Sequence, residues 1–534
     1  MNHAQTGVWE RSRPDGGGWG ASYDEGVIPV VTPEEMAAID EAASEPVDVL
    51  IDRAASAVAA AAVRLMGGTY GRRVHVIAGK GNNGEDGRRA GALLALRGAA
   101  VTVFDAADCP LELPPADLVI DAAYGTGFHG EWVAPDVRAT HVLAVDIPSG
   151  IDGLTGEASA GVLTADVTIT FAALKPGLLF GAGRRHVGRI EVADIGLDVS
   201  AGRVGLVESA DVARWWTPRP LGVHKWSSAV RLIAGGPGMG GAAHLSSAAA
   251  ARAGAGLVQL LSPGGHIDAP VEVITVAMPT DGWERIARRD LDRFGALVIG
   301  PGLGRRDSTV RSVRAVVAAT TVPMVIDGDA LFAISTDTDP GGSEVGDPDG
   351  SADPGGAAEP GGTVDPGGTV EAGELVRRRS GSTVLTPHDG EFAVLSGRAP
   401  GADRVDAARR LARSCRCVAL LKGPTTVIAA SSGSVRIVNR GDQRLATAGT
   451  GDVLSGIIGA LLACGLTAFD AAAAGAWIHG RAAALGHRHG LVASDLLDLI
   501  PLVFDELHPP PGGDDGEGDD GGRGASRAGL GAGR

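Results

Sequence analysis

Short runs of β-branched and aliphatic residues, each followed by a carboxylate or a glycine and then by an Ala/Arg/Leu-rich stretch, recur along most of this chain. In the first half they are Arg73–Ala78, Ala100–Phe104, Leu118–Asp121 and Val142–Asp146. After a pause between Asp194 and Pro220 they resume as Val230–Ala234, Leu257–Leu261, Leu297–Gly300 and Met324–Asp327. Strand-length apolar runs alternating with helix-length stretches predict parallel sheets with crossover helices. The fold class is α/β, with a Rossmann-like domain over 28–215 followed by a second α/β domain over 220–506. Thr32, with Pro33 and Glu35 behind it, marks the first helix start.

Two kinds of segment fall outside this pattern. Residues 1–27 and 509–534 are polar and Gly-rich, and 335–373 repeats Asp-Pro-Gly-Gly and Glu-Pro-Gly-Gly units. None carries enough apolar surface to build a core, so all three are expected to be disordered. A formal net charge of −17 argues against a nucleic-acid partner, which requires a basic face. The four cysteines form neither a disulfide framework nor a CxxC metal site. With no signal peptide and no spanning apolar run, a cytoplasmic protein without a membrane partner is expected.

The most telling local feature is Ala446-Thr-Ala-Gly-Thr-Gly-Asp452, followed by the apolar run Val453–Cys464. Gly449 and Gly451 permit a tight turn, and the helix after it would aim its free N–H groups into that turn, where a phosphate is the natural guest. Asp452 then stands within reach of a hydroxyl brought to the phosphate, as phosphoryl transfer requires. An ordinary capped helix start is the plainer alternative.

In the first half, Gly79-Lys-Gly-Asn-Asn-Gly84 satisfies the dinucleotide fingerprint, but Glu85 and Asp86 place carboxylates where a diphosphate would sit. Carboxamides and carboxylates on such a loop suit sugar hydroxyls, a nicotinamide amide or an alkali cation better. Asp121-Ala-Ala-Tyr-Gly-Thr-Gly127 and Asp146-Ile-Pro-Ser-Gly150 add two more strand-end carboxylates.

Gly81–Gly87, Asp121–Gly127, Val145–Gly150 and Thr170–Gly177 together resemble the NAD(P)H-hydrate epimerase domain. The second half resembles the ADP-dependent NAD(P)H-hydrate dehydratase, a ribokinase-like domain, at His224-Lys225, Gly241–Ala243, Gly254–Gly256, Gly300–Gly304, Asp327–Ala330, Leu385–His388, Leu421–Gly423, Ala446–Asp452 and His479-Gly480. These motifs recur in the family's order between about 30 and 506.

The resemblance implies a bifunctional repair enzyme that returns hydrated NADH and NADPH to the reduced dinucleotides. One domain would equilibrate the R and S hydrates and the other would dehydrate the S hydrate with ADP as co-substrate. It implies an epimerase pocket of Asn82, Asn83, Gly84, Glu85, Asp86, Gly125, Thr126, Gly127, Phe128, His129, Gly130, Glu131 and Asp146, with Asp146 catalytic. A potassium ion would lie on Asn83, Asp121 and Ser149. In the dehydratase the hydrate would meet Ala242, Gly302, His388 and Asp452, with Asp452 as the catalytic base. The nucleotide would lie on Lys422, Gly423, Pro424, Thr425 and Thr426 and on Gly449, Thr450 and Gly451, with magnesium offsetting its charge. A homo-oligomer is expected.

Glu85 stands where the family usually has Gly. Arg88 or Arg89, one helical turn on, is placed to neutralise it. A second reading is a ribokinase-like vitamin or sugar kinase with a non-catalytic N-terminal binding domain.

Overall fold

The computed structural model describes residues 10–11, 27–264, 269–335 and 368–509. The expected insertion and tail fall mostly outside them. Two of the segments expected to be disordered hold structure at described positions: Glu10–Arg11 form a two-residue strand, and Gly368–Arg377, starting on the last glycine of the Asp-Pro-Gly-Gly repeats and so overlapping 335–373, form a helix.

Two sheets organise the chain. The first has seven strands in the order Glu10–Arg11, Arg189–Ala193, Val167–Phe171, Ala139–Val145, Ala116–Ala122, Arg73–Ala78, Ala100–Asp105. Every pairing is parallel. From Arg73 onward the chain runs outward in one direction for a single strand and then returns to build the other side. Arg73–Ala78 and Ala116–Ala122 therefore flank the point where the winding reverses, and in open α/β sheets the crevice at the carboxyl ends of such strands is the ligand site.

The second sheet has eleven strands. Ile274–Met278, Leu257–Pro263, Ala229–Ile233, Ala296–Ile299, Met324–Ile326, Thr383–Leu385 and Val418–Leu421 are parallel. An antiparallel meander through Thr426–Ala429 and Val435–Val438 follows. Its reversal lies between Ala229–Ile233 and Ala296–Ile299, beside the loop Gly300–Gly304. The helix Thr450–Ala463 is apolar all round because it is sandwiched between this sheet and the helices Gly240–Arg252 and Ala468–Leu485.

The expected strands are all present, within a few residues at their ends. The Thr32 cap is also observed: its hydroxyl accepts from Glu35 N while the Glu35 carboxylate accepts from Thr32 N. The antiparallel meander was not expected. Nor was the contribution of the first half to the second sheet. Val204–Leu206 pairs parallel with Val435–Val438, and Ile28–Val30 adds antiparallel to Val204–Leu206. Both strands are nearly or fully buried, so the two halves share one continuous sheet.

Candidate functional site

At the first reversal point the helix Asn82–Leu96 starts tightly against its strand. A Cβ at Gly84 would lie 2.0 Å from Gly79 O, which is why glycine is required there. The register Ala78↔Ala122 sets this helix start beside the strand end that carries Asp121. Both side-chain polar atoms of Asn83 are buried and find no hydrogen-bond partner among the described residues. Asp121 is fully buried, accepting from Ser149 N at 2.9 Å and from Ser149 Oγ at 2.5 Å, and burial raises its carboxyl above the ordinary value. Tyr124 N donates to Ser149 Oγ at 2.9 Å. Orphaned carboxamide oxygen, carboxylate and hydroxyl form an all-oxygen donor set that fits a hard cation.

Asp146 is the centre of the same crevice. It holds a positive φ of 67°, unusual for a non-glycine residue. Its Oδ2 accepts from Thr126 N at 2.9 Å and from the Thr126 hydroxyl, and its Oδ1 lies 2.7 Å from Lys175 Nζ. Burial alone would raise this carboxyl, but Lys175 and the Thr126 bonds outweigh it and hold it below the usual range. Asp86 faces the opposite fate. It is buried without a cation of its own, and burial reinforced by the charge of Asp146 pushes it to about 8. The two carboxyls are thus pushed in opposite directions, Asp146 down and Asp86 up, the division of labour that acid–base catalysis uses.

This tuning predicts a pH signature. The folded value of Asp86 lies above its unfolded one, so the stability it contributes is complete below pH 4 and is lost as pH rises towards 8. Asp86→Asn should remove that loss, and melting curves from pH 5 to 8 should show the variant gaining on wild type with rising pH.

The remaining expected residues of this site separate by position. Gly125 abuts Asn83 and Asp146, whereas Asn82, Gly127, His129, Gly130 and Glu131 stand exposed at the rim. Phe128 packs on Tyr124, with ring centroids 4.9 Å apart and the planes tilted by 47°. The Glu85 carboxylate is taken by Arg89 Nε at 2.9 Å, and Arg89 also reaches Asp48 and Asp52 at 2.7 Å. Arg88 does not compensate Glu85, because it points the other way, towards Ala78 O and Asp105. Lys175 and Asp40, whose carboxyl is raised by desolvation and by Asp146 with Lys175 opposing, were missed. A lysine enclosed between Phe171–Leu174 and Pro176–Leu178 was a usable signal, since buried lysines are paired.

In the second half, Gly449 caps the helix Thr450–Ala463 at φ +90°, a conformation in which a side chain would be strained, and a Cβ there would strike Leu245 at 2.5 Å. The first-turn N–H groups, including those of Gly451 and Asp452, have no acceptor in their own helix and open toward the loop, as expected of an anion hole. A Cβ at Gly451 would lie 3.5 Å from Lys422 Nζ, which places the ammonium at the mouth. Lys422 is held by Asp327 at 3.1 Å and Glu391 at 3.4 Å. Burial would lower its pKa, but these carboxylates outweigh that and raise it. Asp452 is pushed to about 7 by burial and by Asp327, with Lys422 opposing, a value suited to a general base near neutrality.

Ala242 and Gly302 meet across the helix start, since a Cβ on Gly302 would lie 2.8 Å from Ala242 Cβ. His388 caps the helix Asp389–Ser396, its Nδ1 accepting from Gly390 N and Glu391 N at 3.0 and 3.2 Å. The ring is exposed, and its Nε2 lies 3.6 Å from Glu391 Oε1. Thr450 and Thr425 do not offer their hydroxyls outward. Thr450 Oγ1 donates to Leu445 O and Thr447 O, and Thr425 Oγ1 donates to Leu179 O at 2.7 Å. Gly423 O accepts from Thr426 Oγ1, and Pro424 O from Arg184. Of this loop, Lys422 alone presents charge to the site. Beneath it, burial drops His479 to about 4, so it is neutral, and Gly480 lets the Arg440 backbone approach to contact distance.

Two ligand crevices at strand carboxyl edges, one with split carboxyl pKa values and one with an anion hole and a tuned base, define a two-site α/β enzyme. Residues 230–346 and 364–502 match the family model described as NAD(P)H-hydrate dehydratase, and residues 47–111 and 105–177 match that of the YjeF-related protein N-terminus. The bifunctional NAD(P)H-hydrate repair enzyme Nnr of Moorella thermoacetica is 33% identical over 90% of this chain and 97% of its own. That of Mycobacterium leprae is 37% identical over 83% of this chain and 90% of its own. A solved Bacillus subtilis ADP/ATP-dependent NAD(P)H-hydrate dehydratase, co-crystallised with ATP and Mg2+, is 26% identical, covering 57% of this chain and 98% of that one with a TM-score of 0.45. The chain belongs to the bifunctional NAD(P)H-hydrate repair enzymes. A match in both halves is not what a vitamin or sugar kinase with a non-catalytic first domain would give. No helix among the described residues is long and apolar enough to cross a membrane.

Proposed function

We propose that the chain restores hydrated NADH and NADPH, its first half exchanging the R and S epimers and its second half dehydrating the S hydrate with ADP. The observation that carries this reading is the geometry of the two sites: Asp146 bonded to Lys175 and Thr126 in one, and in the other Asp452 on the first turn of the helix that Gly449 opens, beside Lys422.

The hydrated carbon bears both the ring nitrogen and the hydroxyl, so its epimers interconvert by breaking and remaking one of those bonds. Either route needs a group to take a proton and one to give it, and Asp146 and Asp86 fill those roles. Asn83, Asp121 and Ser149 would hold potassium, which when bound supplies positive charge facing an anionic substrate.

In the second half, hydroxide is a poor leaving group and phosphate a good one. Asp452 takes the proton of the hydrate hydroxyl as its oxygen attacks the terminal phosphorus of ADP, and AMP leaves. Expulsion of phosphate, with loss of a proton from the adjacent ring carbon to the departing phosphate or to solvent, then restores the ring double bond. The N–H groups around Gly449–Gly451 and Lys422 steady the transferring oxygens, each well-placed donor being worth on the order of 3 kcal/mol. Magnesium would be held chiefly by the nucleotide phosphates, with Asp327 and Glu391, the carboxylates on Lys422, as the protein groups at hand. Bound there, it neutralises phosphate charge.

The test uses the full-length protein and hydrated NADH, with and without ADP, followed by the returning absorbance of the reduced ring, while chromatography resolves the epimers. ADP-dependent recovery of both epimers is expected, faster in potassium than in sodium, and Asn83→Ala should abolish that preference. If ADP restores no reduced nicotinamide, the reading is wrong.

A further inference from the structure

The short helix Gly183–His186 belongs to the first half, yet its Arg184 reaches across to the second. Its guanidinium donates to three backbone carbonyls there: Pro424 O at 2.8 Å, Gly441 O at 2.8 Å and Asn439 O at 3.1 Å. Pro424 lies in the Lys422–Thr426 loop. Asn439 and Gly441 lead from the strand Val435–Val438 into the turn that ends at Gly449. The two loops are in contact, since a Cβ on Gly441 would stand 3.0 Å from Pro424 O. Burial lowers the pKa of the half-buried Arg184 against the charge of Asp442, and burial would raise the Asp442 carboxyl but Arg444, helped by Arg184, holds it down. A second bond reinforces the first, because the buried Thr425 hydroxyl donates to Leu179 O, five residues before Arg184 in the same segment.

We propose that Arg184 is a positioning residue for the dehydratase, a clamp supplied by the first half that fixes the spacing between the Lys422 loop and the Gly449 turn. It touches neither substrate nor nucleotide. Planar guanidinium donors in a fixed fork suit it to hold carbonyls from two loops in one geometry, and a lysine ammonium, as a point donor, lacks that fork. Site geometry loose by about 1 Å weakens ligand binding well before it unfolds a protein. The inference rests on the reading that these two loops hold the nucleotide.

The experiment compares full-length Arg184→Ala, Arg184→Lys and Lys422→Ala for the KM of ADP, kcat, epimerisation rate and melting temperature. Arg184→Ala should raise the KM of ADP about tenfold, the size expected for loss of a charged donor's bond, with kcat and epimerisation within about twofold. Arg184→Lys should fall between. An unchanged KM in Arg184→Ala beside a raised one in Lys422→Ala would overturn the clamp alone. An unchanged KM in Lys422→Ala would overturn the nucleotide site, and the clamp with it. A parallel fall of kcat, epimerisation and melting temperature in both Arg184 variants would mark a merely structural contact and would also overturn it.

Discussion

Asp452→Asn should lower ADP-dependent dehydration by about 10²- to 10⁴-fold, the usual contribution of a general base, and leave epimer exchange at the wild-type rate. The carboxamide fills the same space at the first helical turn but accepts no proton. Because burial and Asp327 hold Asp452 at about 7, the wild-type dehydration rate should climb as pH rises through that value and level off above it. The variant's residual rate should lack this step. Single-turnover measurements with hydrated NADH and ADP from pH 5.5 to 8.5 check both points. Near-wild-type dehydration by the variant would remove Asp452 from the mechanism.

Lys175→Met should abolish epimerisation and also cost stability. It leaves Asp146 buried and charged with only the Thr126 and Thr170 hydroxyls and one backbone N–H against it. Stranding one member of a buried pair typically costs about 3–5 kcal/mol, so the melting temperature should fall by several degrees. The Asp146 carboxyl should rise once its counter-charge is gone, and the loss of stability should be smaller at low pH, where the stranded group is protonated. Exchange of the two epimers, followed by chromatography, and calorimetry at pH 5 and 8 separate the two effects. Epimerisation that survives the change would mean that Asp146 works without its lysine.

The features that were legible in the sequence are those written locally. Strand runs such as Arg73–Ala78 are found within a few residues because apolar spacing reports burial directly. The Thr32 cap and the Gly449–Asp452 turn were legible because the residues that make them are neighbours along the chain. The order of the motifs through both halves was enough to recognise the family.

The roles of the side chains were not readable in the same way. Glu85 looked like an intruder in the substrate loop, yet only the packing of the helix Val47–Met66 against Asn82–Leu96 brings Asp48 and Asp52 to Arg89 and makes a single network of the four. Thr425 and Thr450 sit within nucleotide motifs, but their hydroxyls are spent on carbonyls that only the folded loops bring near. His388 carried no sign that its ring would cap the following helix.

By itself the sequence determined the α/β layering, the strand-end carboxylates and the glycine turn that opens the helix Thr450–Ala463, because periodicity, capping and glycine placement act over a few residues. Only the tertiary structure decided which carboxyl is lowered and which is raised, that Lys175 answers Asp146, and that strands and an arginine of the first half complete the sheet and loops of the second. Those outcomes depend on burial and on charges tens to hundreds of residues apart in the chain, from the 29 that separate Asp146 and Lys175 to the 240 between Arg184 and Pro424. No local pattern encodes such distances.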